Sequence, residues 1–355
     1  MRTHYVRTKR GTIRNAITQV DVFGPMLCSK QVDTFGKECL EEDKYLYFYK
    51  GEVAIPPLGM VDDLICVSEC GFKTSMLHSY MKFKTASKKL QFGVKKCKKL
   101  HVGKYCEEFK CQQLFVDTWE EVEVENCDNG EIVTEDCFIG EELLEEKNEE
   151  KYLGDVISTD GRNLKNIKAR VNKGKGITTK IMTLLDGIPF GGFYFEIAVI
   201  FRNSLLVSSM LFNSEAWYNV TNAELDLLET VDLMLLRSIL KAPKSTPKEM
   251  LYLELGVIPF REIMRQRRLS FLFYIVNEDL VSLIYTFFVI QEKNRTSKDW
   301  VSSIIADISD LGLNVEIANI RGMKKSVFMT MVKKSMKENS FIKLEKRKSL
   351  KSKRC

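Results

Sequence analysis

The periodicity of the chain changes once, after Tyr152-Leu153-Gly154, and that change constrains the fold more than any single residue. Beyond it, apolar residues recur at helical spacing with few turn signals. Ile167, Val171, Ile181, Leu184 and Leu185 mark one stripe, while Lys165, Lys168, Asn172 and Lys175 fall on another face. Further helices are expected over Phe195 to Ser209, Ala223 to Leu240 and Ile258 to Ile275. Thr246-Pro247 to Glu249 reads as a helix start with a cap, a proline at the first position and an early acid. The second half therefore reads as all-helical.

The first half is broken into short runs. Cys28, Val32, Phe35 and Cys39 keep helical spacing after Pro25, and the aromatic run Tyr45 to Tyr49 suits a strand. Lys50-Gly51 turns the chain, Val53-Ala54-Ile55 is extended, and Pro56-Pro57 forbids a helix. Two apolar runs follow, Leu58 to Val61 and Leu64 to Val67. A helix over Met76 to Phe92 sets Leu77, Tyr80 and Met81 against Lys84 and Lys88, and a strand is expected around Lys99-Leu100-His101-Val102. Between Trp119 and Glu150 the only base is Lys147, so this acidic stretch reads as an exposed insertion or linker, with a hairpin turning at Asp128-Asn129-Gly130. A chain of 355 residues that is 45% hydrophobic and 29% charged can bury more than one core, and the fold class expected is α+β.

The net charge of +6 averages over segments of opposite sign, so a nucleic-acid partner is permitted but not required. The 10 cysteines are scattered, and no apolar signal region follows Met1-Arg2-Thr3-His4, which implies reduced thiols and a nuclear or cytoplasmic location. Gly187 to Phe212 and Ser270 to Gln291 are apolar enough to raise the membrane question. The first carries Glu196 and Arg202 and the second Asn277-Glu278-Asp279, so buried core helices and no membrane span are expected. Cys97, His101, Cys106 and Cys111 have loosely zinc-like spacing but no Cys-x-x-Cys knuckle, which favours buried thiols.

The sharpest local feature is Met60-Val61-Asp62-Asp63, two adjacent carboxylates between apolar runs that look like hairpin arms. A solvated turn would use Asp there for ordinary reasons. The other reading is a phosphoryl-transfer site, in which such carboxylates hold two Mg²⁺ ions about 4 Å apart.

The surrounding segments favour the second reading, because the chain resembles the reverse transcriptases of non-LTR (LINE-type) retrotransposons in that family's motif order. Gln19-Val20-Asp21-Val22-Phe23-Gly24-Pro25 resembles motif B, Asp62-Asp63 the catalytic pair of motif C, Gly93-Val94-Lys95-Lys96-Cys97 motif D, and Tyr152-Leu153-Gly154 motif E, the primer grip. Phe212 to Tyr218 and Leu251 to Gly256 resemble segments that follow the thumb. The resemblance covers about the first 280 residues. It implies RNA-directed DNA polymerisation on an RNA template and DNA primer with dNTPs. Asp62 and Asp63 would be Mg²⁺ ligands, Lys96 the general acid, and Gln19, Gly24 and Pro25 would lie near the nucleotide. Lys165, Lys168 and Lys175, with Arg170, Lys173 and Lys180 nearby, would lie on the duplex backbone.

The expected organisation is an incomplete right-hand polymerase palm of antiparallel strands and helices over residues 1–118 and an acidic insertion over 119–150. Primer grip, thumb and following helices would span 151–285, and a C-terminal helical region with a basic tail 286–355. Three departures stand out. Val20 replaces a glycine, Gly24 replaces a serine, and Met60 replaces an aromatic residue. No aspartate before Asp62 suits the strand of motif A, so the catalytic set is incomplete and the chain alone is expected to be inactive. A non-catalytic module that holds RNA or a hybrid duplex is the alternative role. Trp217 and Tyr218 could stack on bases, but core positions are favoured.

Overall fold

The computed structural model describes residue 37 and residues 47–49, 51–60, 63–68, 71–87, 96–101, 138–139, 142–336 and 338. The fold is mixed α+β and mostly helical, with short strands in small two-stranded sheets. The chain divides into two compact units, Met1–Leu153 and Gly154–Cys355.

In the first unit, β1 (Tyr47–Tyr49) pairs antiparallel with β2 (Val53–Ile55), setting Tyr47 opposite Ile55. Gly51 sits between them at φ 71, a backbone conformation that glycine adopts without cost. β3 (Leu58–Met60) pairs antiparallel with β4 (Asp63–Ile65), and Met60 faces Asp63. Helix α1 (Gly71–Ser87) starts five residues earlier than its apolar spacing predicts. It buries Leu77, Tyr80 and Met81 against Ala54, Leu64 and Cys66, which makes a small core.

The described end of the acidic segment carries short strands. β6 (Phe138–Ile139) pairs with β7 (Glu142–Leu143), while β8 (Glu145–Glu146) pairs parallel with β5 (Lys98–Lys99). Lys98 meets Glu145 across that pair at 2.5 Å and Lys99 meets Glu146 at 3.2 Å. Ile139 and Leu144 are buried beside Cys97, while Leu143 and the neighbouring glutamates stay exposed. Among the described residues the strands form separate two-stranded pairs, and β5–β8 is a parallel one. β9 (Glu149–Tyr152) leads to the Leu153-Gly154 turn and to β10 (Asp155–Ser158).

The second unit has two cores. Helix α2 (Leu164–Leu185) turns Ile167, Arg170, Gly174, Thr178, Ile181 and Leu185 inward, while Leu184, expected on the apolar stripe, is exposed. The helix Gly192–Met210, α3, contains a π-helical stretch at Arg202–Val207 and packs with α2 and α4 (Asn222–Leu240). α4 begins with a capping box. The Glu224 amide donates to Thr221 Oγ1 at 3.3 Å, and the Thr221 amide donates to Glu224 Oε2 at 2.7 Å. α5 (Lys248–Glu254) has Pro247 at its cap position with no side-chain cap, so the expected Thr246 cap and Pro247 at the first helical position are displaced by one residue.

α6 (Phe260–Asn277) runs from the first core into the second. The second core also draws on α7 (Leu283–Lys293), α8 (Trp300–Asp310), α9 (Ile317–Ile320) and helix α10 over 325–336. Both apolar stretches enter the helical packing. α3 is the described helix long and apolar enough to cross a membrane; it buries Tyr194, Ala198, Leu206 and Met210 in the first core and pairs Arg202 with Asp232. The other stretch breaks at Glu278, where α6 ends, and restarts behind the Ser282 cap of α7.

Candidate nucleic-acid interface

The turn after β9 is tight because both of its residues have left-handed backbones, Leu153 at φ 47 and Gly154 at φ 89. Two successive positive φ values make the turn that matches strand twist in a two-residue hairpin. Leucine pays for that geometry with contact between Cβ and backbone, whereas glycine does not.

Asp155, the first residue of β10, is the centre of a polar cluster that the sequence reading missed. Its Oδ1 accepts from Asn166 Nδ2 at 2.7 Å and from Arg170 Nη2, and its Oδ2 accepts from Asn213 Nδ2 at 2.7 Å. Asn166 returns along the strand, its Oδ1 accepting from the Val156 amide at 3.3 Å. Arg170 is buried and also donates to the carbonyls of Ser209 at 2.8 Å and Gly154 at 3.3 Å. Its ζ carbon lies 5.5 Å from the ring centre of Phe212 and 5.6 Å from that of Trp217. Arg170 was expected among the lysines that face phosphates; its place is inside, because the inward stripe of α2 carries it toward Asp155. An arginine falling on the spacing of Ile167, Gly174 and Ile181 was the signal available.

The exposed side of α2 carries the lysines. Lys168 and Lys175 are exposed and Lys165 is half-buried, while Lys173 and Lys180 are exposed on an adjacent face. The helix start is fixed by neighbours: Asn163 Nδ2 donates to the Tyr218 carbonyl at 2.7 Å, and the Tyr218 hydroxyl donates to the Gly161 carbonyl at 3.0 Å. The Ser158 hydroxyl and the Arg162 amide hold the Asp160 carboxyl below its ordinary range. Trp217 is buried in the first core and Tyr218 is partly exposed, so the favoured core position holds for the tryptophan.

In the first unit, Asp63 opens β4, and Lys96 is exposed two residues before β5. Tyr152 ends β9, its hydroxyl 3.5 Å from the Leu58 carbonyl in β3. Gln19, Gly24, Pro25 and Asp62 lie outside the described residues, as do Cys106, Cys111, the Asp128-Asn129-Gly130 turn and the basic tail. Cys97, the first member of the zinc-like pattern, is half-buried, and burial pushes its thiol up, with Lys98 opposing. Among the described residues no group of three or more His, Cys, Asp or Glu side chains could hold a metal ion. Comparison with protein-family models, with curated proteins and with solved structures finds no match to this chain.

Proposed function

We propose that the chain is the palm-and-thumb part of a reverse transcriptase of the non-LTR retrotransposon kind, and that its helical unit holds a template–primer duplex along α2. The observation that carries this reading is the two-sided construction of α2. Arg170 and Asn166 fasten its inner face to the strand that leaves the Leu153-Gly154 turn, while Lys168 and Lys175 stand exposed two turns apart on the outer face. A helix fixed in that way presents charge at a constant distance from the turn, as a duplex backbone requires. Such contacts give position and affinity rather than sequence choice.

The pairing of Met60 with Asp63 in the β3–β4 hairpin supports the catalytic part of the reading, because it sets Asp63 at a strand start next to Asp62 in the chain. Adjacent carboxylates are the all-oxygen donors that Mg²⁺ takes. Asp62 and Asp63 would hold it, and bound Mg²⁺ supplies positive charge for the primer 3′-hydroxyl and the pyrophosphate leaving group. Lys96, exposed, would be the proton donor of this reading, and the resemblance assigns Gln19, Gly24 and Pro25, outside the described residues, to the nucleotide. The duplex-holding part of this reading rests on α2 and is separable from its catalytic part.

The test is fluorescence anisotropy of a labelled RNA–DNA hybrid against KCl concentration. Each lysine contact to a phosphate contributes about 0.9 to the slope of log affinity against log salt, so Lys168→Ala with Lys175→Ala should lower the slope by about 2. An unchanged slope and affinity would remove the duplex from α2. Primer extension with Mg²⁺ provides the second arm. Incorporation that disappears in Asp62→Ala would show an active polymerase, and hybrid binding unaffected by Asp63→Ala without incorporation would favour a binding module.

A further inference from the structure

The loop 211–219 between α3 and α4 is held from two sides. Toward the hairpin, Asn213 Nδ2 donates to Asp155 Oδ2 at 2.7 Å, and Phe212 lies against Gly154. Toward the second core, Trp300 Nε1 donates to the Glu215 carbonyl at 2.7 Å, and the Asn219 amide donates to Ser303 Oγ at 3.2 Å. Arg267 adds a third contact from α6, to the Leu211 carbonyl.

The loop between these anchors is stiff. Asn213 and Asn219 adopt left-handed backbones at φ 55 and φ 50, a region that asparagine tolerates better than other non-glycine residues. Consecutive backbone bonds close it: the Ser214 amide to the Leu211 carbonyl at 3.2 Å, Ala216 to Asn213 at 3.0 Å and Trp217 to Ser214 at 3.4 Å. Within it, Ser214 and Trp217 are buried. A displacement at Glu215 is therefore passed to Asn213 instead of being absorbed.

α8, which supplies Trp300 and Ser303, belongs to the second core. Arg268 donates from Nε and Nη2 to the Asp307 carboxylate, both at 2.7 Å, and the Trp300 ring meets Phe271 edge-on at 5.7 Å. The Asp299 carboxylate caps α8, accepting from the Ser302 amide at 2.7 Å.

We propose that Trp300 and Ser303 are positioning residues: through loop 211–219 and Asn213 they fix Asp155, so the C-terminal core braces the strand that leaves the primer-gripping turn. This rests on the proposed reading of Tyr152-Leu153-Gly154 as a primer grip. The bracing contact spans 85 residues of sequence, and none of the segments resembling polymerase motifs contains Trp300.

Amide hydrogen exchange on the full chain without nucleic acid tests the brace. In Trp300→Phe, amides 155–158 should exchange about 5-fold faster, the loosening expected when one directed hydrogen bond is lost, while amides within α4 keep their protection. Ser303→Ala, which keeps the indole, should show a smaller effect in the same place. In an Asn213→Ala background, Trp300→Phe should add nothing at 155–158, because the path is already cut. Unchanged exchange there, or effects of the two substitutions that simply add, would overturn the proposal. Hybrid affinity reports on the grip separately. Trp300→Phe should weaken binding without changing the salt slope; coupled exchange with unaltered affinity would leave the brace standing and remove the primer-grip reading.

Discussion

Arg170 donates to the Asp155 carboxylate while its ζ carbon lies over the indole of Trp217, 5.6 Å from the ring centre. A single side chain thus satisfies a carboxylate at the start of β10 and fills the space above a core tryptophan. It links charge satisfaction to packing, so truncating it removes both. Arg170→Ala should destabilise the helical unit by about 2–4 kcal/mol, below the largest losses for broken buried pairs because Asp155 retains some contact with water. Arg170→Lys should recover little, since an ammonium cannot reach Asp155, Ser209 and Gly154 with one planar fork. Urea unfolding measures both, and a loss under about 0.5 kcal/mol for Arg170→Ala would contradict the geometry.

Two glycines in α2 should respond in opposite directions. A Cβ built on Gly174 would overlap Met210 Sδ and stand 3.1 Å from Val231 Cγ1, whereas one on Gly176 meets nothing within 4 Å. Gly176→Ala should stabilise by about 0.5–1 kcal/mol through helix propensity and a less flexible unfolded chain. Gly174→Val should cost about 1–3 kcal/mol by forcing α2 away from α3 and α4. Thermal unfolding of the two variants side by side gives the contrast directly.

The pair between Arg202 and Asp232 is fully enclosed. Nε donates to Oδ1 at 2.7 Å and Nη2 to Oδ2 at 2.6 Å, and Nη2 also donates to the Ile258 carbonyl at 2.9 Å. Burial pushes the Asp232 carboxyl up, and the guanidinium pulls against it. Arg202→Met alone should cost about 3–5 kcal/mol, and adding Asp232→Leu should restore much of that. The pH dependence has a definite sign. Without its partner the buried acid has a folded-state pKa further above the unfolded value of about 3.9, so the single variant should lose stability as pH rises from there toward neutrality. A variant whose stability rises over that range would refute the assignment.

His78, partly buried on α1 between the core residues Leu77, Tyr80 and Met81, is pushed down to about 4 by desolvation. The unfolded chain takes up a proton near pH 6.5 while the folded chain stays neutral to about 4. Stability of the first unit should therefore be complete above the upper value and fall as pH drops through the window between the two. An imidazole resonance titrating near its ordinary value would show that the ring is solvated.

Much of the fold was legible in the chain. The hairpin arms Tyr47–Tyr49 and Val53–Ile55 follow from an aromatic run, a glycine turn and a β-branched run, all short-range signals. The helices α2, α4 and α6 follow from apolar spacing, the ends of α4 and α6 shifted by one or two residues because caps and neighbouring packing set them. The acidic stretch was less legible. Its glutamates suggest solvent, yet Lys98 and Lys99 draw Glu145 and Glu146 into a parallel pair, and no local pattern announces a partner 47 residues away.

Of the candidate site, the sequence by itself determined which residue types stand where: an Asp-Asp pair between short apolar runs, a Leu-Gly turn ahead of Asp155, and lysines recurring along one side of α2. Only the tertiary structure decided their partners. It turned Arg170 inward, joined Asp155 to Asn213 across 58 residues, and set Trp300 against the carbonyl of Glu215. The reason is physical. Helical and strand periodicity fix the direction of a side chain relative to its own element, but a hydrogen bond or buried charge is stable only against whatever the rest of the chain brings opposite it.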